Sequence, residues 1–120
     1  MQRKMNSWLA LAAGLALAAC SRGPTAPEAV TLTITANDTF RFDPDTFTAK
    51  VGQPVNIALH DAGALEHSII IDELSVNVHV QSGQDAPVSF TPTATGRFTF
   101  YCDVPGHKAA GMVGTLVVEP

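Results

Sequence analysis

Cysteine is scarce in this chain, with two residues in 120, Cys20 and Cys102. They lie far apart in the sequence, so no clustered disulfide framework is present. Basic residues are few as well: seven Lys and Arg against eleven Asp and Glu. That argues against nucleic acid as a partner, because phosphate binding needs a basic face. Long apolar runs are missing too. The longest, Trp8 to Ala19, has twelve apolar or small residues, short of the roughly 20 that a spanning helix needs. No stretch keeps a 3.6-residue apolar period long enough for a confident helix, and no internal repeat is present. The length suits one domain and not two.

What is present begins with an N-terminal address. Arg3 and Lys4 precede the apolar run, and small residues precede Cys20, the pattern of a secretory signal. Leu17-Ala18-Ala19-Cys20 further resembles the bacterial lipobox, in which the signal is cut before a diacylated cysteine; a plain secretory signal is the alternative. The expected organisation is a signal peptide over 1–19, lipidated Cys20 with a Pro-, Ser- and Ala-rich tether to residue 29, and a folded domain over 30–120. Without Arg3 and Lys4, five basic and eleven acidic residues remain, a net of −6. That charge suits steering towards a basic partner.

The domain reads as strand almost throughout. Apolar and polar residues alternate in VTLTITA from Val30, TFTAKV around Phe47, PVNIALH from Pro54, EHSIIID from Glu66, VNVHV from Val76, APVSFT from Ala86, GRFTFYC from Gly96 and VGTLVV from Val113. Turn residues such as Asn37-Asp38, Asp43-Pro44, Val51-Gly52, Ser82-Gly83 and Thr95-Gly96 separate them. Seven or eight short strands at this spacing predict an all-β sandwich or barrel. A core of this size gains from a bound metal.

Chemistry concentrates in YCDVPGHKAAGM, Tyr101 to Met112. Cysteine, histidine and methionine fall within eleven residues, separated by Pro, Gly and Ala that suit neither helix nor strand. If Cys20 carries lipid, Cys102 has no partner, and an unpaired thiol in an oxidising compartment is inert core, a nucleophile or a ligand. Period-2 phase puts Cys102 with Phe98 and Phe100, and His67 with Ile69 and Ile71, both aimed inward. The Pro105-Gly106 turn can then return His107 and Met112 to the same end of the sandwich. Two imidazoles, a thiolate and a thioether make the set of a blue-copper electron-transfer site. Zinc fits the same pocket, although functional zinc sites rarely recruit methionine. Taken singly, each residue has a plainer reading: buried cysteine and methionine as core filler, His67 as a satisfied core or surface histidine, His107 as solvated. His60 and His79 are expected to face solvent, and Glu66 and Asp103 to be surface charges beside the site.

From Val30 to Val118 the chain resembles the cupredoxins, blue copper proteins of the plastocyanin and azurin type. ALEHSIIID and YCDVPGHKAAGMVGTLVV carry the likeness. The resemblance implies a Greek-key sandwich of eight strands, one type 1 copper, and His67, Cys102, His107 and Met112 as its ligands. The gap between Cys102 and His107 is similar to that of azurins and auracyanins. One departure is Ser68, which stands where azurins and plastocyanins carry an asparagine that braces the cysteine loop; a single hydroxyl makes fewer bonds. The resemblance implies a monomeric electron carrier, not an enzyme, held at the envelope membrane by its lipid and exchanging electrons with redox partner proteins. A copper chaperone or delivery protein is the rival function. A copper nitrite reductase needs a second domain that this length excludes, and an adhesion-type sandwich would bind no copper.

Overall fold

A computed structural model describes Gly14, Gly23 and residues 25–120. The expected signal segment, Cys20 and the first part of the tether thus lie almost wholly outside the described residues. Nine strands follow in order: β1 (Val30–Asn37), β2 (Arg41–Asp43), β3 (Thr46–Lys50), β4 (Val55–Asp61), β5 (His67–Ile71), β6 (Val76–Val80), β7 (Asp85–Phe90), β8 (Gly96–Tyr101) and β9 (Val113–Glu119). One 3-10 turn, Asp72–Leu74, joins β5 to β6. The strand beyond the expected eight is β2, whose three residues are too few to show an alternation. Among the described residues, no helix is long and apolar enough to cross a membrane.

The strands form two sheets, ordered β2-β1-β4-β7 and β3-β9-β8-β5-β6. The chain passes repeatedly from one sheet to the other, and two pairs, β1 with β4 and β3 with β9, run parallel. Inner faces follow from the sequence period. In β4, Val55, Ile57 and Leu59 are buried while Asn56 and Ala58 face out. In β9, Leu116 and Val118 are buried in the same way. Between the sheets, Phe100 packs edge-on against Phe42 with ring centroids 5.2 Å apart, and against Phe47 at 5.7 Å. Burying a side chain of this size contributes about 1.5–3 kcal/mol. Gly114 makes this packing possible, since a Cβ there would overlap the Phe100 ring and reach 2.6 Å from the Asp45 backbone oxygen.

Strand β5 departs from the alternation, for all five of its residues are buried. It lies inside its sheet between β8 and β6. Ile69 and Ile71 join the main core, while Ser68 and Ile70 are covered on the opposite face.

Candidate metal centre

Strand topology brings distant segments to one pole. Parallel register sets Ala36 beside Asp61, so β1 and β4 end together. The chain then crosses to the other sheet and enters β5 at His67. Strand β8 runs antiparallel to β5 with Ile70 opposite Tyr101, which places the end of β8 near the start of β5. Cys102 is the next residue along.

The following loop folds by its own backbone. The His107 N–H donates to the Val104 carbonyl at 3.0 Å, closing a turn through Gly106. Gly106 has φ +85° and Gly111 φ +104°, conformations that side chains resist. The Met112 N–H donates to the His107 carbonyl at 3.1 Å, and the Cys102 N–H to the Met112 carbonyl at 3.2 Å. Met112 is therefore tied through its backbone to both Cys102 and His107. Outside, the Lys108 ammonium sits 3.8 Å from the centroid of the Tyr101 ring, a cation–π contact that holds the loop against β8.

His67, Cys102 and His107 meet, with one donor atom from each lying within 4.8 Å of the others. The Cys102 Sγ is 3.4 Å from His107 Nδ1. The two imidazole rings lie 5.0 Å apart, and Phe40 packs edge-on against His107 at 4.8 Å. His67, Cys102 and Met112 are fully buried, and His107 alone reaches the surface, with 6% exposure.

His67 shows whether a metal fits. Its Nε2 lies 2.9 Å from Asp38 Oδ1. An ionised carboxylate only accepts, so Nε2 carries a proton, and in the neutral ring Nδ1 is then the nitrogen with the lone pair. That Nδ1 is buried and has no hydrogen-bond partner. A buried imidazole lone pair without a donor costs free energy, and a cation beside the thiol and the second imidazole removes that cost. Buried histidines, a buried thiol and a nearby thioether-bearing residue are the soft and borderline donors that copper takes.

Further hydrogen bonds surround these residues. Ser68 Oγ donates to Asp103 Oδ1 at 2.7 Å and accepts the Asp103 N–H at 2.9 Å. It lies 3.6 Å from the Cys102 sulfur, and its one proton goes to the shorter, charged partner. The hydroxyl thus braces the cysteine loop against β5. Asp103 also lies 3.1 Å from His79 Nε2, whose Nδ1 lies 2.7 Å from Glu66. Glu66 first, then Asp103, raises the His79 pKa above its ordinary value. His79 and Glu66 are thus a bridge over the pole, and His60 pairs with Asp85 at 2.6 Å away from it.

Two carboxylates complete the pole, Asp38 and Asp61, neither of them marked by the sequence as part of a site. Hydrogen bonds from the Ala64 N–H and then from His67 hold the Asp38 carboxyl below its ordinary pKa. Asp61 is fully buried, with Oδ1 accepting the Gly63 N–H at 2.9 Å. Its burial was readable, since Asp61 continues the inward phase of Val55, Ile57 and Leu59. Asp38 sits in a turn, where no period applies.

Residues 8–118 match a family model described as the Cupredoxin-like domain. The copper-resistant cuproprotein CopI of Rubrivivax gelatinosus is 30% identical over 117 residues, covering 81% of this chain and 71% of that protein. Chloroplastic plastocyanin of Chlamydomonas reinhardtii is 38% identical over 88 residues, covering 65% of this chain and 58% of that protein. Among solved structures, reduced auracyanin of Roseiflexus castenholzii superposes with a TM-score of 0.68 at 21% identity, over 78% of this chain and 99% of that one. That last likeness is one of fold.

Proposed function

The chain belongs to the cupredoxin-like family and binds copper, and from that premise we propose that it is a one-electron carrier, not an enzyme, with His67, Cys102, His107 and Met112 as its ligands. The observation that carries this reading is the buried, preassembled donor set of His67, Cys102 and His107, within 4.8 Å of one another and open to solvent only through 6% of His107. Bound copper supplies a Cu(II)/Cu(I) couple there, with the thiolate as the strong covalent donor. The protein's part is to hold that set still. Cys102 and Met112 are locked by their mutual backbone bond, and His67 by β5 and Asp38. Burial keeps water from the sulfur. His107, between exposed Gly106 and Lys108 with Pro105, Ala109 and Ala110 nearby, is the edge through which an electron enters and leaves, because small neighbours let a redox partner approach closely. A net acidic domain favours a partner with a basic face.

A copper-delivery role is the second reading, favoured by the likeness to a protein named for copper resistance. The two separate cleanly when the copper-loaded protein is mixed with an oxidised carrier and, separately, with a copper-free acceptor. Electron exchange at constant copper content supports the carrier; loss of copper to the acceptor without reversible colour change contradicts it. We further propose that Cys20 anchors the protein by lipid at the bacterial envelope, facing the periplasm or the exterior. Cys20→Ala is then expected to leave the membrane fraction or to stall in processing. A fatty-acid label on the variant equal to the wild type would refute the anchor.

A further inference from the structure

Asp38 stands just past β1, with its side chain 37% exposed, yet its carboxylate is the hub of the crossing segment that leads into His67. Oδ2 accepts the Ala64 N–H at 2.7 Å, and Oδ1 accepts the Leu65 N–H at 3.3 Å and the His67 Nε2–H at 2.9 Å. The segment is shaped around that carboxylate. A Cβ on Gly63 would overlap it, lying 3.0 Å from Oδ2 and closer still to Oδ1. Gly63 itself is held from the other side by Asp61, whose second oxygen is buried without a partner.

Asp38, Asp61 and His67 also bring one donor atom each within 4.8 Å, which raises the question of a second cation. His67 answers it. With Nε2 on Asp38 and Nδ1 the buried nitrogen without a partner, only Nδ1 has a lone pair to give a metal, and the proposed copper site takes it, so none is left for a second ion.

We infer that Asp38 is a positioning residue for the copper site, orienting His67 and setting the reduction potential through it. This rests on His67 being a copper ligand. A carboxylate on the far nitrogen fixes the tautomer, turns the ring and makes the near nitrogen a stronger donor. The ring is fully buried while the carboxylate is 37% exposed, so the charge acts mainly through the direct hydrogen bond and is partly screened by solvent. A stronger, more anionic donor stabilises Cu(II) over Cu(I), and Asp38 therefore holds the potential down.

The test uses Asp38→Asn, which keeps the shape and an acceptor oxygen but removes the charge. The Cu(II)/Cu(I) equilibrium is expected to move at least tenfold towards Cu(I), a rise of about 59 mV or more by voltammetry. Electron spin-echo modulation from the remote nitrogen of an imidazole ligand should change with it, while Asp61→Asn, which alters a neighbouring carboxyl that makes no hydrogen bond to His67, should leave that nitrogen signal in place. A purely structural Asp38 would lower thermal stability and leave both potential and modulation unchanged, and that result would overturn the inference. Nitrogen NMR of the copper-free wild type needs no variant to fold: His67 must be the Nε2–H tautomer, and an Nδ1–H tautomer overturns the proposal outright. Binding of a second metal ion that Asp38→Asn abolishes would also overturn it. A wild type that takes up no copper but shows the Nε2–H tautomer would refute the ligand assignment and leave the orienting contact standing.

Discussion

The segment from Cys102 to Met112 carries three of the four proposed ligands and folds on itself, whereas His67 arrives on a buried strand from another part of the chain. The loop is held by short-range backbone bonds, from His107 to Val104, from Met112 to His107 and from Cys102 to Met112. His67 is held by tertiary structure: β5 buried along its whole length, and one carboxylate reaching across from the end of β1. One half of the site is therefore a local motif, and the other exists only when both sheets have assembled. Copper joins the halves and should stabilise the whole fold by mass action.

Removing the strand-borne half should have the largest effect. His67→Ala takes away a proposed ligand, empties a fully buried position and leaves Asp38 without the ring it faces. Loss of a supporting partner around a metal ligand costs about 10–100-fold in affinity, and loss of the ligand itself should exceed that. Copper titration should show affinity down by more than about 100-fold with the blue colour lost. A variant that binds copper as tightly as the wild type would mean that the loop is a complete site by itself.

On the loop side, Met112 should tune the site without making it. Met112→Gln substitutes a harder oxygen donor that favours Cu(II), so voltammetry should show a lower potential with copper retained. Met112→Leu removes the donor and should shift the potential upward. A change of about 59 mV is tenfold in this one-electron equilibrium. Potentials unchanged by both substitutions, in proteins that still hold copper, would make Met112 ordinary core and leave a three-donor site.

The loop was the more legible half because its residue types sit close together in the sequence. Cys102, His107 and Met112 could be picked out by donor chemistry, and Pro105, Gly106 and Gly111 by their unsuitability for regular structure. His67 was legible by phase with Ile69 and Ile71, although β5 turned out to be buried on both faces, where alternation carries no information. Strand β2 was too short to leave a pattern. Asp38 left none at all, since its role depends on which turn meets which crossing segment. Ser68 was visible as a departure from the family pattern, but not as a brace that both donates to and accepts from Asp103.

The smallest expected effect lies on the outer bridge joining the halves, Glu66–His79–Asp103. The folded pKa of His79 is raised above its unfolded value, chiefly by Glu66. Its stabilisation is then fully present below about pH 6.5 and fades as pH rises through the folded pKa. His79 is 42% exposed, so the effect should stay within about 0.2–1 kcal/mol. Denaturant melts of wild type and His79→Ala should differ near pH 6 and converge at alkaline pH. A difference that grows with pH would show that His79 acts as a neutral packing group instead.

The most direct test of the shared site is a Cu(II) titration of the purified protein followed by visible absorption, beside Cys102→Ala. The expected result is one copper per chain and an intense sulfur-to-copper charge-transfer band that bleaches on reduction and returns on reoxidation, with no such band in the variant. A wild type that takes up no stoichiometric copper, or a Cys102→Ala protein that stays blue, would contradict it.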